Sequence, residues 1–258
     1  RRADAAEAWA REFQIPQHVG SYESAIANPA TVNTLWSLDL GKVSSNMVPA
    51  LTSDGRVVLA TDQSELITLK LSDGQVLERV TLNAALSAGV GSDGQRHAVV
   101  TRDNVLIAIE KGREIWRKTL SAQVYTRPLV AGERVFVLLA DRTVQAFDGA
   151  AGRLIWSQAR TGEPLVLRQS GTLMAYGNTL VAGLSGRLAG FDPTTGRIVW
   201  EAPLATPRGL NDLERLVDVV GLTFRSDPYL CARAYLSQVG CVQASKGQVA
   251  WSRTSHGE

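Results

Sequence analysis

Histidine, cysteine and methionine are nearly missing from this chain of 258 residues, which holds three, two and two of them. His18, His97 and His256 lie in different segments, and no Cys/His/Asp group has metal-ligand spacing. There is also no nucleophile elbow and no phosphate-cradling glycine loop, and the carboxylates stand singly in turns, where Asp most often bonds its own backbone. No catalytic residue, metal or cofactor is therefore expected. No apolar run approaches the roughly 18 residues of a membrane-spanning helix, and the opening Arg1-Arg2-Ala3-Asp4 lacks a signal-peptide pattern, as expected of a processed chain. Charge of one sign is missing too. Lys and Arg total 27 against 25 Asp and Glu, and a net charge of +2 offers no general attraction to nucleic acid or anionic lipid.

What the chain does have is a repeat of about 40 residues. Trp36, Trp116, Trp156, Trp200 and Trp251 are separated by one doubled interval and three single ones, and the missing member falls at Glu78. A glycine four residues ahead of the tryptophan position recurs as Gly74, Gly112, Gly152, Gly196 and Gly247. Leu188-Ala189-Gly190-Phe191-Asp192 leading through Gly196 to Trp200 is the clearest copy, and Val144 to Trp156 nearly repeats it. Alternating apolar residues mark a strand, the Asp-to-Gly stretch marks a turn needing positive φ, and the tryptophan marks the next strand. Earlier β-rich runs, such as Arg56–Ala60 and Arg134–Leu138, complete four short strands per unit. Four such strands make a blade of a β-propeller. The tryptophans are expected to wedge between neighbouring blades, each covering roughly 150 to 250 Å².

The expected fold is therefore all-β, a propeller of four-stranded antiparallel blades over residues 31–258. Residues 1–30 form a separate N-terminal segment, partly helical or disordered; Ala3 to Phe13 has good helix formers and an Ala/Trp/Phe face suited to a short capping helix.

The phrase Ala146-Phe147-Asp148 through Gly152 to Trp156 resembles the tryptophan-docking repeat of eight-bladed quinoprotein propellers. Two subfamilies share it: pyrroloquinoline-quinone dehydrogenases, and the BamB family of outer-membrane β-barrel assembly lipoproteins, which has the propeller without the cofactor. The dehydrogenase pattern calls for a vicinal cysteine pair and acidic calcium ligands, and neither Cys231 nor Cys241 has a cysteine neighbour. From about residue 31 onward the chain looks like BamB. Leu165-Val166-Leu167-Arg168 matches the Leu-x-Leu-Arg element through which that family contacts the BamA subunit, and Glu214-Arg215-Leu216-Val217-Asp218-Val219 resembles its second contact loop. Val220 stands where the second aspartate of that loop is usual, so Asp218 alone keeps the charge.

The resemblance implies a non-enzymatic periplasmic scaffold at the outer membrane of a Gram-negative bacterium. Its implied partners are the periplasmic domains of BamA and unfolded outer-membrane proteins, and its implied contact residues are Leu165, Leu167, Arg168, Arg215 and Asp218. The lipid-bearing cysteine of the family is not in this chain, and about five blades are present where the family has eight, as in a fragment or a shorter variant. On the residues alone, Leu165 and Leu167 fall on one strand face and would suit a buried edge equally well. Arg168 beside them, as at interface anchors, together with the resemblance, favours a contact site. A propeller adaptor for another partner is the alternative reading.

Cys231 and Cys241 flank a hairpin around Leu236-Ser237. A two-residue turn there would set position 231 opposite 242 and point Cys241 to the other sheet face, leaving both thiols free.

Overall fold

The computed structural model describes residues 33–44, 46–159, 169–205, 218–235 and 238–254. These fall into two units, one represented by residues 33–37, which contain no strand, and the other by residues 38–254. The possible helix near Ala3 lies outside the described residues, and Trp36 stands on no strand.

The second unit is five antiparallel four-stranded sheets, each made of consecutive strands. Blade 1 holds β1 (Ala50–Leu51), β2 (Arg56–Ala60), β3 (Glu65–Lys70) and β4 (Val76–Thr81). Blade 2 holds β5 (Gly91–Ser92), β6 (Arg96–Val100), β7 (Val105–Glu110) and β8 (Arg113–Thr119). Blade 3 holds β9 (Leu129–Ala131), β10 (Arg134–Leu138), β11 (Val144–Asp148) and β12 (Leu154–Gln158). Blade 4 holds β13 (Leu173–Tyr176), β14 (Thr179–Leu184), β15 (Arg187–Phe191) and β16 (Ile198–Pro203). Blade 5 holds β17 (Val219–Ser226), β18 (Tyr229–Ala234), β19 (Gln238–Gln243) and β20 (Gln248–Thr254). This is part of a propeller.

The cores lie between blades, because the middle strands are apolar on both faces and strand alternation sends successive side chains to opposite neighbours. On β10, Val135 and Val137 pack with Ala98, Val100 and Trp116 of blade 2, while Phe136 and Leu138 pack with Leu180, Ala182 and Phe191 of blade 4. A middle strand thus reads as a continuous apolar run, and an outer strand such as β8 buries only Trp116.

The tryptophans take one equivalent place. Trp116, Trp156, Trp200 and Trp251 lie opposite Ala108, Ala146, Gly190 and Cys241, each immediately before a bulge that adds one residue to the outer strand. Glu78 holds the same place opposite Thr68. The first three indoles lie on a positive-φ glycine of the next blade. An added Cβ would come within 2.6 Å of Trp116 at Gly152, 2.6 Å of Trp156 at Gly196 and 2.5 Å of Trp200 at Gly247. Trp116 Nε1 donates to Gly149 O at 2.7 Å and Trp156 Nε1 to Pro193 O at 3.0 Å, both in the turn that the glycine closes. That turn is shaped by its aspartate. Asp192 Oδ1 accepts from Thr194 N at 2.8 Å and Thr195 N at 3.2 Å, and these backbone donors, Thr194 first, hold its carboxyl below the usual range.

The cysteines correct the expectation of free thiols: Cys231 and Cys241 form a disulfide, with Cα atoms 4.0 Å apart. The register pairs Cys231 with Cys241 and Arg233 with Val239, so the loop between β18 and β19 holds three residues, not two. One extra residue brings the second cysteine back to the same face.

Two outcomes follow for denaturant unfolding. Gly196→Ala is expected to cost about 3 kcal/mol, from strain at φ +74° plus the clash with Trp156, while Gly177→Ala, with φ +53° and open space around it, is expected to cost about 1 kcal/mol. Equal losses would show that the indole gives way freely. Reducing the disulfide, which links residues ten apart, should remove about 2 to 3 kcal/mol, and Cys241→Ala should abolish the difference between oxidised and reduced protein.

Candidate functional site

The turns between second and third strands and the crossings between blades leave from one rim, since antiparallel strands return their ends alternately. On that rim the β10–β11 turn, the approaches to β9, β13 and β17, and the β14–β15 turn surround a small cavity of about 50 Å³. Its wall includes Gln169 and Gly171 on one side and Asp218, Val219 and Val220 on another. These residues directly follow the segments 160–168 and 206–217, which join β12 to β13 and β16 to β17. Leu165, Leu167, Arg168 and Arg215 lie outside the described residues. Asp218 lies within them.

Asp218 is buried, and its carboxylate accepts from Arg142 Nη2 at 3.3 Å. Both side chains are largely shielded, with 12% and 7% exposure, so the pair is held mostly out of water. The backbone around Asp218 is equally fixed: its carbonyl accepts from Tyr235 N at 2.8 Å, Val219 N donates to Ser185 O at 2.9 Å, and Gly221 N donates to Ser170 O at 2.8 Å. Gly171 N in turn donates to Thr126 Oγ1 at 2.9 Å. The chain just after each of the two segments is therefore stitched to one patch of rim.

Arg142 was not among the residues the sequence singled out. It sits at φ +67° in the β10–β11 turn, where the equivalent turns of blades 1 and 2 carry Ser64 and Asn104, each at φ +62°. A long cationic side chain at a left-handed position that short polar residues fill elsewhere is the departure that alignment of these turns would have exposed. In a single pass it reads as one more solvated arginine.

The family model described as outer membrane protein assembly factor BamB matches residues 72–258. The chain belongs to the BamB family. The outer membrane protein assembly factor BamB of Bordetella pertussis is 34% identical over 220 residues, covering 84% of this chain and 57% of that protein. Its counterpart in Burkholderia pseudomallei is 29% identical over 225 residues, covering 86% of this chain and 59% of that protein. The chain thus spans less than two thirds of these relatives' length. Among solved structures, BamB from Moraxella catarrhalis superposes with a TM-score of 0.74 at 21% identity, covering 86% of this chain and 68% of that one. A quinohemoprotein alcohol dehydrogenase from Comamonas testosteroni follows with a TM-score of 0.62 at 11% identity, a likeness of fold alone.

Breaking the buried pair from one side removes an opposite charge from a site largely shielded from water. Arg142→Ala and Asp218→Ala are each expected to cost about 3 to 5 kcal/mol, and the double variant clearly less than their sum. Additive losses in a chemical-denaturation cycle would place both groups in water.

Proposed function

We propose that the chain is a non-enzymatic scaffold in outer-membrane β-barrel protein assembly, which holds the periplasmic domains of BamA on the rim that carries residues 160–168 and 206–217. One observation carries the reading: the residues that follow the two segments resembling the family's BamA-contact elements meet around one cavity, where Asp218 is tied to Arg142. Leu165 and Leu167 would supply desolvated apolar anchors, and Arg168 and Arg215 would set orientation through charge. Asp218, being paired already, acts by fixing the loop that bears Arg215 instead of meeting the partner as a free charge.

The repeat tryptophans and glycines, Gly112 among them, are architectural in this reading, and residues 31–258 form the propeller part. No cofactor is called for. The disulfide suits an oxidising compartment, which supports the periplasmic face of the outer membrane in a Gram-negative cell. Unfolded outer-membrane proteins are the second class of partner. The outer strands β8, β12 and β16 present the exposed side chains of Ile115, Leu154, Ile155, Ile198 and Val199 beside an open backbone edge, which suits pairing with an extended apolar strand.

Calorimetric titration with the BamA periplasmic domains tests the first half. Arg168→Glu is expected to weaken binding by about 2 kcal/mol or more and Leu165→Ala by a comparable amount, with Lys70→Glu, in a different blade and on the opposite rim, unchanged. Unaltered affinity in the first two, with circular dichroism intact, would return those residues to a structural role and leave BamA without a site here.

A further inference from the structure

Three of the interfaces between successive blades are closed by an indole, and the one between blades 1 and 2 is not. Glu78 takes the tryptophan's place there, and its carboxylate lies where the ring would, since a Cβ added at Gly112 would come within 2.8 Å of Glu78 Oε1. The receiving turn is cut short as well. In blades 3 and 4 it runs from Asp148 to Gly152 and from Asp192 to Gly196, whereas in blade 2 Glu110 pairs directly with Arg113. A third change accompanies these two. In blades 3, 4 and 5 the second residue of the second strand is Val135, Leu180 or Leu230, each packed in one cluster with the indole of the preceding blade. In blade 2 that position is His97, paired with Ile109 as Val135 is with Phe147. An apolar ring and an apolar aliphatic have thus been exchanged together for a carboxylate and an imidazole.

His97 is 4% exposed, and its Nδ1 is hydrogen-bonded to Ser92 Oγ at 2.8 Å. It lies on the face of β6 that meets blade 1, where Val99 packs with Val58 and Leu66. Charged groups face it from each neighbouring element: Glu78 from β4, Arg56 from β2, Asp93 from the turn before β6, and Glu110 and Lys111 from β7 and the turn after it. Arg56 is matched by Asp54, and Glu110 by Arg96 at 3.0 Å. Among the described residues, no carboxylate makes an ion pair with the imidazole. Burial therefore dominates and pushes the imidazole below its ordinary value of about 6.5, while the charges of Glu78 and Asp93 pull the other way and Arg56 adds to the effect of burial. Protonation would put a charge into an interface that no indole seals and that borders a cavity of about 380 Å³.

We propose that the interface between blades 1 and 2 is an acid-released latch, held shut while His97 is neutral beside Glu78 and loosened when the ring takes a proton. The sign follows from burial. A histidine that binds its proton less readily folded than unfolded contributes its full stability above the unfolded value, and that contribution is lost as pH falls below about 6.5. Glu78 moderates the loss, because its charge is the nearest compensation a protonated ring would find. The interfaces closed by Trp116, Trp156 and Trp200 hold no titratable group at either place, so acid acts on one interface and leaves the other three shut.

Amide hydrogen exchange of the full 258-residue chain, corrected for the intrinsic pH dependence of exchange, tests this directly. Between about pH 7.5 and about pH 5.5, opening read at β2, β3 and β6 is expected to rise by up to about tenfold, the limit for a ring still neutral at the lower pH. Opening at β10 and β14 should hold constant. His97→Leu, which restores the aliphatic of the other blades, should remove the rise. Proton NMR of the imidazole, assigned by its loss in that variant, should give a midpoint below about 6.5, and Glu78→Gln should lower it further by withdrawing a charge that favours the proton. A midpoint at or above that value, a midpoint unmoved by Glu78→Gln, or the same rise in His97→Leu would each overturn the proposal. If His97→Leu fails to fold, His97→Gln gives the assignment and the two midpoints still decide.

Discussion

The structure rests on one contact, an indole laid flat on a glycine of the next blade. A four-stranded sheet has two faces to cover and no layer of its own to cover them, so each blade is stable only as its neighbours shield it. The glycine serves twice, since its positive φ closes the turn and its missing Cβ makes room for the ring. The indole N–H then binds a carbonyl of that turn, so apolar burial and polar satisfaction occur in one place, as at Trp116 on Gly149 and Gly152. From this follow the both-faced apolar middle strands and the recurrent bulge that turns the tryptophan toward the seam.

This contact is also why so much of the fold was legible in the sequence. Tryptophan and glycine at a fixed offset are rare enough to be seen without a structure, and the runs Arg56–Ala60 and Arg134–Leu138 both lie in second strands of blades. The cysteine pairing was illegible because it hangs on the parity of a loop: one residue more or fewer inverts the facing of every side chain beyond it. Arg142 was illegible because its meaning comes from a partner 76 residues away. The contact residues near Leu165 were accessible only through likeness to a family, because two alternating leucines describe a buried strand edge equally well. Glu78 was visible as a gap in the series, and the structure sets it opposite Thr68, in the place the tryptophans take elsewhere.

The two rims divide the labour. One carries the tight turns and the long crossings between blades, where insertions such as 160–168 and 206–217 can grow without disturbing any strand. The other carries the hairpins that receive the tryptophans, where length is constrained by the ring each must accept. Variation is therefore tolerated on the first rim and costly on the second, and where it does occur on the second, at blades 1 and 2, both sides of the contact have changed together.

The Arg142–Asp218 pair joins the turn of blade 3 to the entry of blade 5 and passes over blade 4. In mechanical terms it is a tie across two seams. Traction on the segment 206–217 reaches Asp218 and divides there, one share going into blade 5 through Tyr235 and the other into blade 3 through Arg142. The disulfide stiffens blade 5 against shear between its middle strands but crosses no seam. A pull on that segment would thus be shared between blades 3 and 5 instead of falling on one blade alone.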